Sequence, residues 1–510
     1  MTMRDNVING RKWLLILLIC FGLARLASLG LYPLSDTTEA RYGNIARLMA
    51  ETNNWITPQY SPGVPFWGKP PLSTWLSAAS MELFGINEFA ARLPSFLLGL
   101  AVVLLAWSLA SWQRGRDVAL AAAVVLTSSA LFFIGSGAVM TDNALLLTTT
   151  LCMVSFWRAL NDSGRSARRW GYAFFVGLAI GLLAKGPIAI VLTGLPIGVW
   201  VLWQRKWLDV WRRLPWVSGV VLTAVLSVPW YWLAELNTPG FLDYFLIGEH
   251  WKRFAVPGWK GDLYGNAHLR PKGTIWFYWL AATLPWSLIL PAMLLRKKFR
   301  SDLMHRLTEG EGWRLYLVLW TLAPMVFFTL ASNILWTYVL PGLPAFAIMA
   351  ADKLFCGSPQ ASGVRVSSLP VLRAGASGML LLYMLALTLL ALGYGPAEKS
   401  QRKLIASLSV SHSGEKSLTY LYQRPYSAEF YSRGSARVAR DPNDMEGLFR
   451  NDAVDYFSVS KGDFERLPLA FRMRVKNLGL INRHYLLMEN PAVVASATAN
   501  SSSMTRANRL

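Results

Sequence analysis

From Trp13 to about position 395 the chain alternates long apolar stretches with short polar ones. A helix of about 20 apolar residues crosses the hydrocarbon of a bilayer. Hydropathy picks out about eleven such stretches: 13–31, 89–110, 118–134, 143–160, 171–184, 187–203, 214–233, 274–295, 313–331, 337–351 and 373–395. The polar connections between them are unequal. With the N-terminus in the cytoplasm, the connections 1–12, 111–117, 161–170, 204–213, 296–312 and 352–372 hold about twenty Lys and Arg. The longer opposite set holds about nine, which is the positive-inside bias. An odd number of spans then puts the C-terminus outside. Arg4, Arg11 and Lys12 precede the first run, which is longer than a signal-peptide core and reads as a retained helix.

Two outer connections are long, 32–88 and 234–273. In the first, Tyr42, Ile45, Ala46, Leu48 and Met49 share one side at the helical period, with Asn44 and Arg47 opposite. That pattern predicts a helix lying along the bilayer surface. Pro70-Pro71 opens another apolar helix, with Pro in its first turn. After Ala397 the pattern changes to short runs with strand character: 417–422, 454–460 and 482–489. Asp441-Pro442 and Ser460 read as helix starts. The expected organisation is an all-α polytopic membrane domain, 1–396, with about 11–13 spans, then a small α/β soluble domain, 397–490, and a disordered tail, 491–510.

Composition supports the membrane reading. The 510 residues are 54% hydrophobic and 15% charged, against about 25% charged in soluble domains, and mean hydropathy is +0.34. The net charge of +21 lies in short loops between apolar runs, so it reports topology and not a nucleic-acid face. Cys20, Cys152 and Cys356 lie in or at the end of apolar runs and have neither disulfide-framework nor zinc-site spacing. No phosphate-cradling glycine loop occurs.

The stretch Ser35–Leu72 gathers Asp36, Glu39, Arg41, Tyr42 and Lys69 into a short polar loop at a membrane edge, where charges need a reason. Asp36 with Glu39 three residues on also reads as a capping box. Asp142 opens the fourth span on the same predicted side; it reads as an N-cap or as a second acidic site. Lys69 and Lys185 are cations on the outer side, against the topology bias. Each either pairs with an anion or snorkels to the interface. Glu249, His250 and Arg253 fall together in the second long outer loop and suit a sugar or a phosphate. Tyr338 reads as an interface aromatic or a substrate contact. Acidic loops can hold a divalent metal, yet scattered carboxylates form no recognisable ligand set.

Read in order, these pieces resemble a known family. Glu39-Ala40-Arg41-Tyr42, Trp55-Ile56-Thr57-Pro58, Gly68-Lys69-Pro70-Pro71, Ala91-Arg92-Leu93-Pro94, Met140-Thr141-Asp142, Ala184-Lys185-Gly186-Pro187, Glu249-His250 with Arg253-Phe254, and Thr337-Tyr338-Val339-Leu340-Pro341 resemble bacterial membrane glycosyltransferases of the protein O-mannosyltransferase superfamily. They look most like the aminoarabinose transferases of lipid A. The resemblance implies a GT-C-type fold with juxtamembrane helices over a cavity at the outer surface. It also implies a sugar donor on undecaprenyl phosphate and an envelope acceptor. The family's acidic residue before the Glu-Ala-Arg-Tyr piece falls on Thr38 here; Asp36 or Glu39 fills the first acidic role. Family sequences often have Lys where this chain has Asn333.

The expected reaction moves a sugar from a polyprenyl phosphate to an acceptor with inversion at the anomeric carbon. Negative charge grows on the leaving phosphate, and pre-placed cations lower that barrier. Arg41, Lys69, Lys185 and Arg253 are the phosphate candidates, and Tyr42, Glu249, His250 and Tyr338 the other binding candidates. Asp36, Glu39 and Asp142 are the catalytic candidates: one of them is a base for a hydroxyl acceptor, or an orienting group for an ionised phosphate acceptor. The expected setting is the bacterial inner membrane, with the site and the C-terminal domain periplasmic, lipid A or another envelope acceptor as partner, and no nucleic acid. A protein or glycan acceptor, a lipid or solute transporter, and an assembly scaffold are the alternative readings.

Overall fold

The computed structural model describes residues 3–265, 268–294, 312–355, 369–411, 417–441, 444–445, 448–449 and 455–490. They form two compact units: Met1–Gly30 with Leu48–Leu387, and Leu31–Arg47 with Thr388–Leu510. The tail expected to be disordered lies outside the described residues, as do Cys356, Pro442 and most of the basic connections at 296–312 and 352–372.

Among the described residues the first unit is mainly helical, with a small hairpin of β1 (Gln59–Ser61) and β2 (Val64–Pro65) and an isolated bridge between Leu269 and Asn333. Every expected apolar stretch carries helix. Glu88–Arg114 starts at Asn87, whose side chain accepts from the Ala90 amide at 2.8 Å, and ends at Gly115 with φ of 90°. The Asn supplies the acceptor that the first helical turn lacks, and Gly takes the left-handed conformation that closes it. Among the described residues four helices are long and apolar enough to cross a membrane, Glu88–Arg114, Asp142–Asn161, Trp216–Asn237 and the one that begins at Leu369, and a bent pair, counted as one span, makes a fifth. The eleven stretches outnumber these because several are interrupted. The 118–134 stretch breaks at Ser129 into Arg116–Ser128 and Ala130–Gly135. The 274–295 stretch bends by 91° between Thr274–Ala282 and the helix that begins at Trp286. The 337–351 stretch starts as the 3₁₀ turn Trp336–Gly342.

Burial in this unit runs as a lipid solvent would have it. Arg116–Ser128 lies at the centre, with Ala119, Ala121, Ala122 and Ala123 buried; small residues let neighbouring helices approach closely. On Trp216–Asn237 the large apolar residues Val217, Val220, Val225 and Trp232 face outward instead.

The second unit holds a five-stranded sheet of order β4-β3-β5-β7-β6. The strands are β3 (Leu418–Leu421), β4 (Arg437–Ala439), β5 (Tyr456–Ser460), β6 (Val475–Ile481) and β7 (His484–Glu489). β3 runs parallel to β4 and β5, while β7 is antiparallel to β5 and β6. All four residues of β3 are buried, as expected of a central strand covered on both faces. Three strands match the expected runs. β4 is three residues long and β6 is largely exposed, so neither carries a strong apolar signal. Ser460 ends β5 and starts no α-helix: its hydroxyl donates to Asp463 at 2.7 Å and a 3₁₀ turn, Phe464–Arg466, follows. Asp and Ser favour such local turns as readily as helix starts.

The helix expected along the surface is Thr38–Thr52. Ile45, Ala46, Leu48 and Met49 are buried as expected, and Tyr42, placed with them, is half-buried. Asn44 and Arg47, placed opposite them, are buried too, and the guanidinium donates to Asn44 Oδ1 at 3.0 and 2.9 Å. A polar face closes over itself when its donors and acceptors pair.

Candidate active site

Lys69 is delivered by the loop between Thr38–Thr52 and Leu72–Phe84. The loop is stapled to the 238–264 region. Tyr264 accepts from the Trp67 amide at 3.0 Å and donates to Pro65 O at 2.9 Å. Trp67 Nε1 donates to Thr238 Oγ1 at 3.0 Å. Gly68 permits this approach: a Cβ there would come within 2.9 Å of Phe66 and 3.3 Å of Tyr264. Lys69 follows directly, its amine 3.3 Å from Glu249 Oε1 and 2.5 Å from Gly68 O.

Glu249, His250 and Arg253 come from a π-helical segment, Tyr244–Lys252, and the turn after it. Arg253 Nη1 donates to both Glu249 oxygens, at 3.0 and 2.8 Å, and lies 3.3 Å from Asp262 Oδ2. One carboxylate therefore holds two cations. Burial pushes the Glu249 carboxyl up, but the charges of Lys69 and Arg253 outweigh it and hold the group below its ordinary value. Burial, aided by Arg253 and Lys185, lowers the Lys69 amine against the pull of Glu249. Asp262 was not legible beforehand as a site residue. It is one of four acidic residues in the 234–273 connection, and its place in the loop that carries Arg253 was the available signal.

Asp142 and Lys185 form the second pair, 2.6 Å apart. Each sits at a helix end: Asp142 in the first turn of Asp142–Asn161, Lys185 in the last turn of Gly164–Lys185. A carboxylate at an N-terminus and an ammonium at a C-terminus both complement the helix dipole. The Lys185 amine stands 4.7 Å from the centroid of the Tyr338 ring. Tyr338 lies within electrostatic reach of Arg253, Lys69, Asp142 and Glu249, so the two pairs share one neighbourhood with this ring at its middle.

His250 has a different task from the others. Nδ1 is 2.8 Å from Phe245 O and Nε2 is 3.2 Å from Lys185 O. Burial lowers its pKa, and both ring nitrogens face backbone carbonyls. Gly186, with φ of +84°, makes room: a Cβ would meet Phe245 at 2.6 Å and the His250 ring at 3.2 Å. Two buried polar atoms nearby lack a protein partner among the described residues, Asn333 Oδ1 and Thr337 Oγ1. The Asn333 amide nitrogen donates to Arg253 O at 2.7 Å, which fixes the orientation of the amide. Among the described residues no group of three or more His, Cys, Asp and Glu gathers to hold a metal ion.

Asp36, Glu39, Arg41 and Tyr42 belong to the second unit. Glu39 accepts from the Ser35 amide at 3.3 Å, so it supplies the carboxylate of the helix start. Asp36 takes no part in that cap. Its carboxylate accepts from the Ser427 amide at 3.1 Å and from the Ser427 hydroxyl, at the start of helix Tyr426–Tyr431. Burial raises its pKa to about 6 against these hydrogen bonds. The Gln401 amide donates to Ser427 Oγ at 3.0 Å, and Tyr420 donates to Gln401 Oε1 at 3.1 Å. The Arg41 guanidinium lies 5.1 Å from the centroid of the Tyr42 ring.

The chain is similar to known proteins in sequence and in fold. The family model described as dolichyl-phosphate-mannose-protein mannosyltransferase matches residues 27–245. The chain is 32% identical to the undecaprenyl phosphate-alpha-4-amino-4-deoxy-L-arabinose arabinosyl transferase of Erwinia tasmaniensis over 347 residues, 67% of this chain and 59% of that protein. It is 31% identical to the transferase of the same description from Pseudomonas aeruginosa PAO1 over 388 residues, 74% and 65% of the two. The chain thus spans about six tenths of the length of these curated relatives. In fold it is similar to the crystal structure of ArnT from Cupriavidus metallidurans bound to undecaprenyl phosphate, with a TM-score of 0.76 at 21% identity, over 94% of this chain and 98% of that one. The archaeal oligosaccharyltransferase AglB from Archaeoglobus fulgidus follows at a TM-score of 0.51 and 13% identity, over 88% and 69%.

Proposed function

We propose that this chain, aminoarabinose-transferase-like in sequence and fold, is a membrane glycosyltransferase that moves an aminopentose from undecaprenyl phosphate to lipid A. The observation that carries the reading is the sharing of Glu249 by Lys69 and Arg253. A buried carboxylate bracketed by two cations is an exchange site for an anion. Of the two contacts, Lys69 makes the longer and single one, so it is the cation that turns to an arriving phosphate. Arg253 stays anchored by Glu249 and Asp262 and presents its remaining fork edge.

In the proposed step the bond from the anomeric carbon to the donor phosphate oxygen breaks and a bond to the acceptor oxygen forms. The electron pair leaves with undecaprenyl phosphate, whose charge grows between Lys69 and Arg253. Lys185, held by Asp142, adds field from the other side of Tyr338. An ionised lipid A phosphate needs no base, so Asp142 orients Lys185 and the acceptor. The unmatched acceptors Asn333 Oδ1 and Thr337 Oγ1 suit the hydroxyl and ammonium groups of the sugar. Glu39 and Asp36 hold the first outer loop, with Arg41 and Tyr42 on it, in shape. The positive-inside bias of the basic connections supports the inner membrane as the setting, with the site on the periplasmic side.

The test is transfer from the lipid-linked aminopentose to lipid A, read by mass spectrometry. The wild-type chain adds one aminopentose. Lys69→Met lowers the rate about 10²–10³-fold, the effect of losing one pre-placed charge-stabilising contact, while the protein still inserts. Full activity of this variant removes the site, and a hexose gain instead of an aminopentose changes the donor.

A further inference from the structure

A second charged surface lies away from these residues, where the helix Ile188–Gln204 ends. Arg205 adopts a left-handed φ of 54° and the chain turns into the short helix Trp207–Arg213, before Leu214-Pro215 leads into Trp216–Asn237. Val210 is the one buried residue of the short helix. Trp207, Leu208 and Trp211 fall within one arc of about 100° at the helical period and are exposed, Trp207 at 61% and Trp211 at 67%. Arg212 flanks that arc, Arg213 lies on the opposite side of the helix, and both are exposed. The connection 161–170 lies alongside, tied by Arg213 Nη1 donating to Asp162 O at 2.7 Å. It adds the exposed Arg165, Arg168 and Arg169.

Together the two connections carry seven Lys and Arg, with Arg205 and Lys206, against Asp162 and Asp209. Both acids are already engaged, Asp162 by Arg158 at 2.8 Å and Asp209 by Lys206 at 3.2 Å. Loop topology asks for cations here but does not ask for two exposed tryptophans and a leucine on one face of a helix between them.

We infer that the helix Trp207–Arg213 and the connection 161–170 form a docking site for anionic phospholipid headgroups of the leaflet they face. The indoles and Leu208 enter the acyl boundary, and Arg169 and Arg212 take the phosphate. Apolar burial with basic flanks is how an interfacial helix binds an anionic surface. The charge balance selects the lipid, since a zwitterionic headgroup gains nothing from a patch this basic.

The full chain in detergent is titrated with phosphatidylglycerol, phosphatidylcholine and inorganic phosphate, and bound lipid is counted by native mass spectrometry. The wild type retains phosphatidylglycerol at least ten-fold better than phosphatidylcholine, and free phosphate does not displace it. Arg169→Gln with Arg212→Gln weakens retention about thirty-fold, and Trp207→Gln weakens it without changing headgroup preference. All variants keep aminopentose transfer, since none touches the Lys69–Glu249 cluster, and this shows that they fold. Equal retention by wild type and the double Arg variant overturns the inference, as does free phosphate competing as well as the lipid. Both outcomes leave the transferase reading where it stands.

Discussion

Two carboxylates, one in each unit, are held by different means. In the first, Glu249 meets two cations and is held ionised. In the second, Asp36 meets the amide and hydroxyl of Ser427, and its pKa rises to about 6. Desolvation is common to both and is the first cause of shift in each. What decides the sign is whether full charges or hydrogen-bond dipoles answer it. A charge-paired carboxylate leaves cations that an incoming anion can redirect. A hydrogen-bonded carboxyl leaves no such surplus and suits a tie between distant parts of one unit, here 391 residues apart in the chain.

The largest expected effect breaks the first half of that contrast. Glu249→Gln leaves Lys69 and Arg253 buried side by side without their shared anion. Removing one member of a buried ion pair typically costs about 3–5 kcal/mol. Thermal unfolding in detergent should show that loss, and added inorganic phosphate should restore part of it by taking the carboxylate's place. An unchanged unfolding midpoint would mean that Asp262 alone holds the cations.

Asp36→Asn sharpens the second half. The folded-state pKa is raised from 3.8 to about 6, so the folded protein holds the proton more tightly than the unfolded chain. Ionised Asp36 therefore counts against folding above about pH 6, by up to about 3 kcal/mol. The penalty shrinks as pH falls through that value and is gone below the unfolded pKa of 3.8. The variant should be the more stable protein at about pH 7.5, with the difference closing on acidification. A carboxylate that stabilises at neutral pH gives the opposite sign. Transfer that falls with Asp36→Asn as steeply as with Lys69→Met would make Asp36 a participant in the chemistry.

Much of this was legible in the sequence because membrane helices announce themselves by local composition. The stretches around Glu88–Arg114 and Asp142–Asn161 were readable to within a few residues. The breaks at Ser129 and near Thr283 were not, since interruption by packing leaves hydropathy unchanged. Lys69, Glu249, Arg253, Asp142 and Lys185 were each visible as charges out of place at a membrane edge. Their pairing was not, because it joins loops up to 180 residues apart, and nothing local encodes which carboxylate meets which cation. Asp36 shows the same limit from the other side. Its spacing to Glu39 fits a helix cap, while its partner lies in a helix near the far end of the chain.

The smallest expected effect concerns His250, which belongs to the first unit but, like Asp36, is held by hydrogen bonds and not by an opposite charge. Through Lys185 O it fixes the end of the helix that presents the Lys185 amine to Asp142. One hydrogen bond of this kind is worth about 0.5–1.5 kcal/mol. His250→Ala should then slow transfer about three- to ten-fold in kcat and leave the donor KM nearly unchanged, because Lys69 and Arg253 stay in place. His250→Asn keeps a donor near the Phe245 carbonyl but none at Lys185 O, so it should not recover the rate. Burial depresses the pKa of the imidazole, so protonation works against the folded form, and the wild type should lose stability as pH drops below the unfolded value of about 6.5. In His250→Asn that acid-side loss should be smaller. A large rise in donor KM with either variant would instead place the ring against the lipid phosphate and put His250 among the groups that bind it.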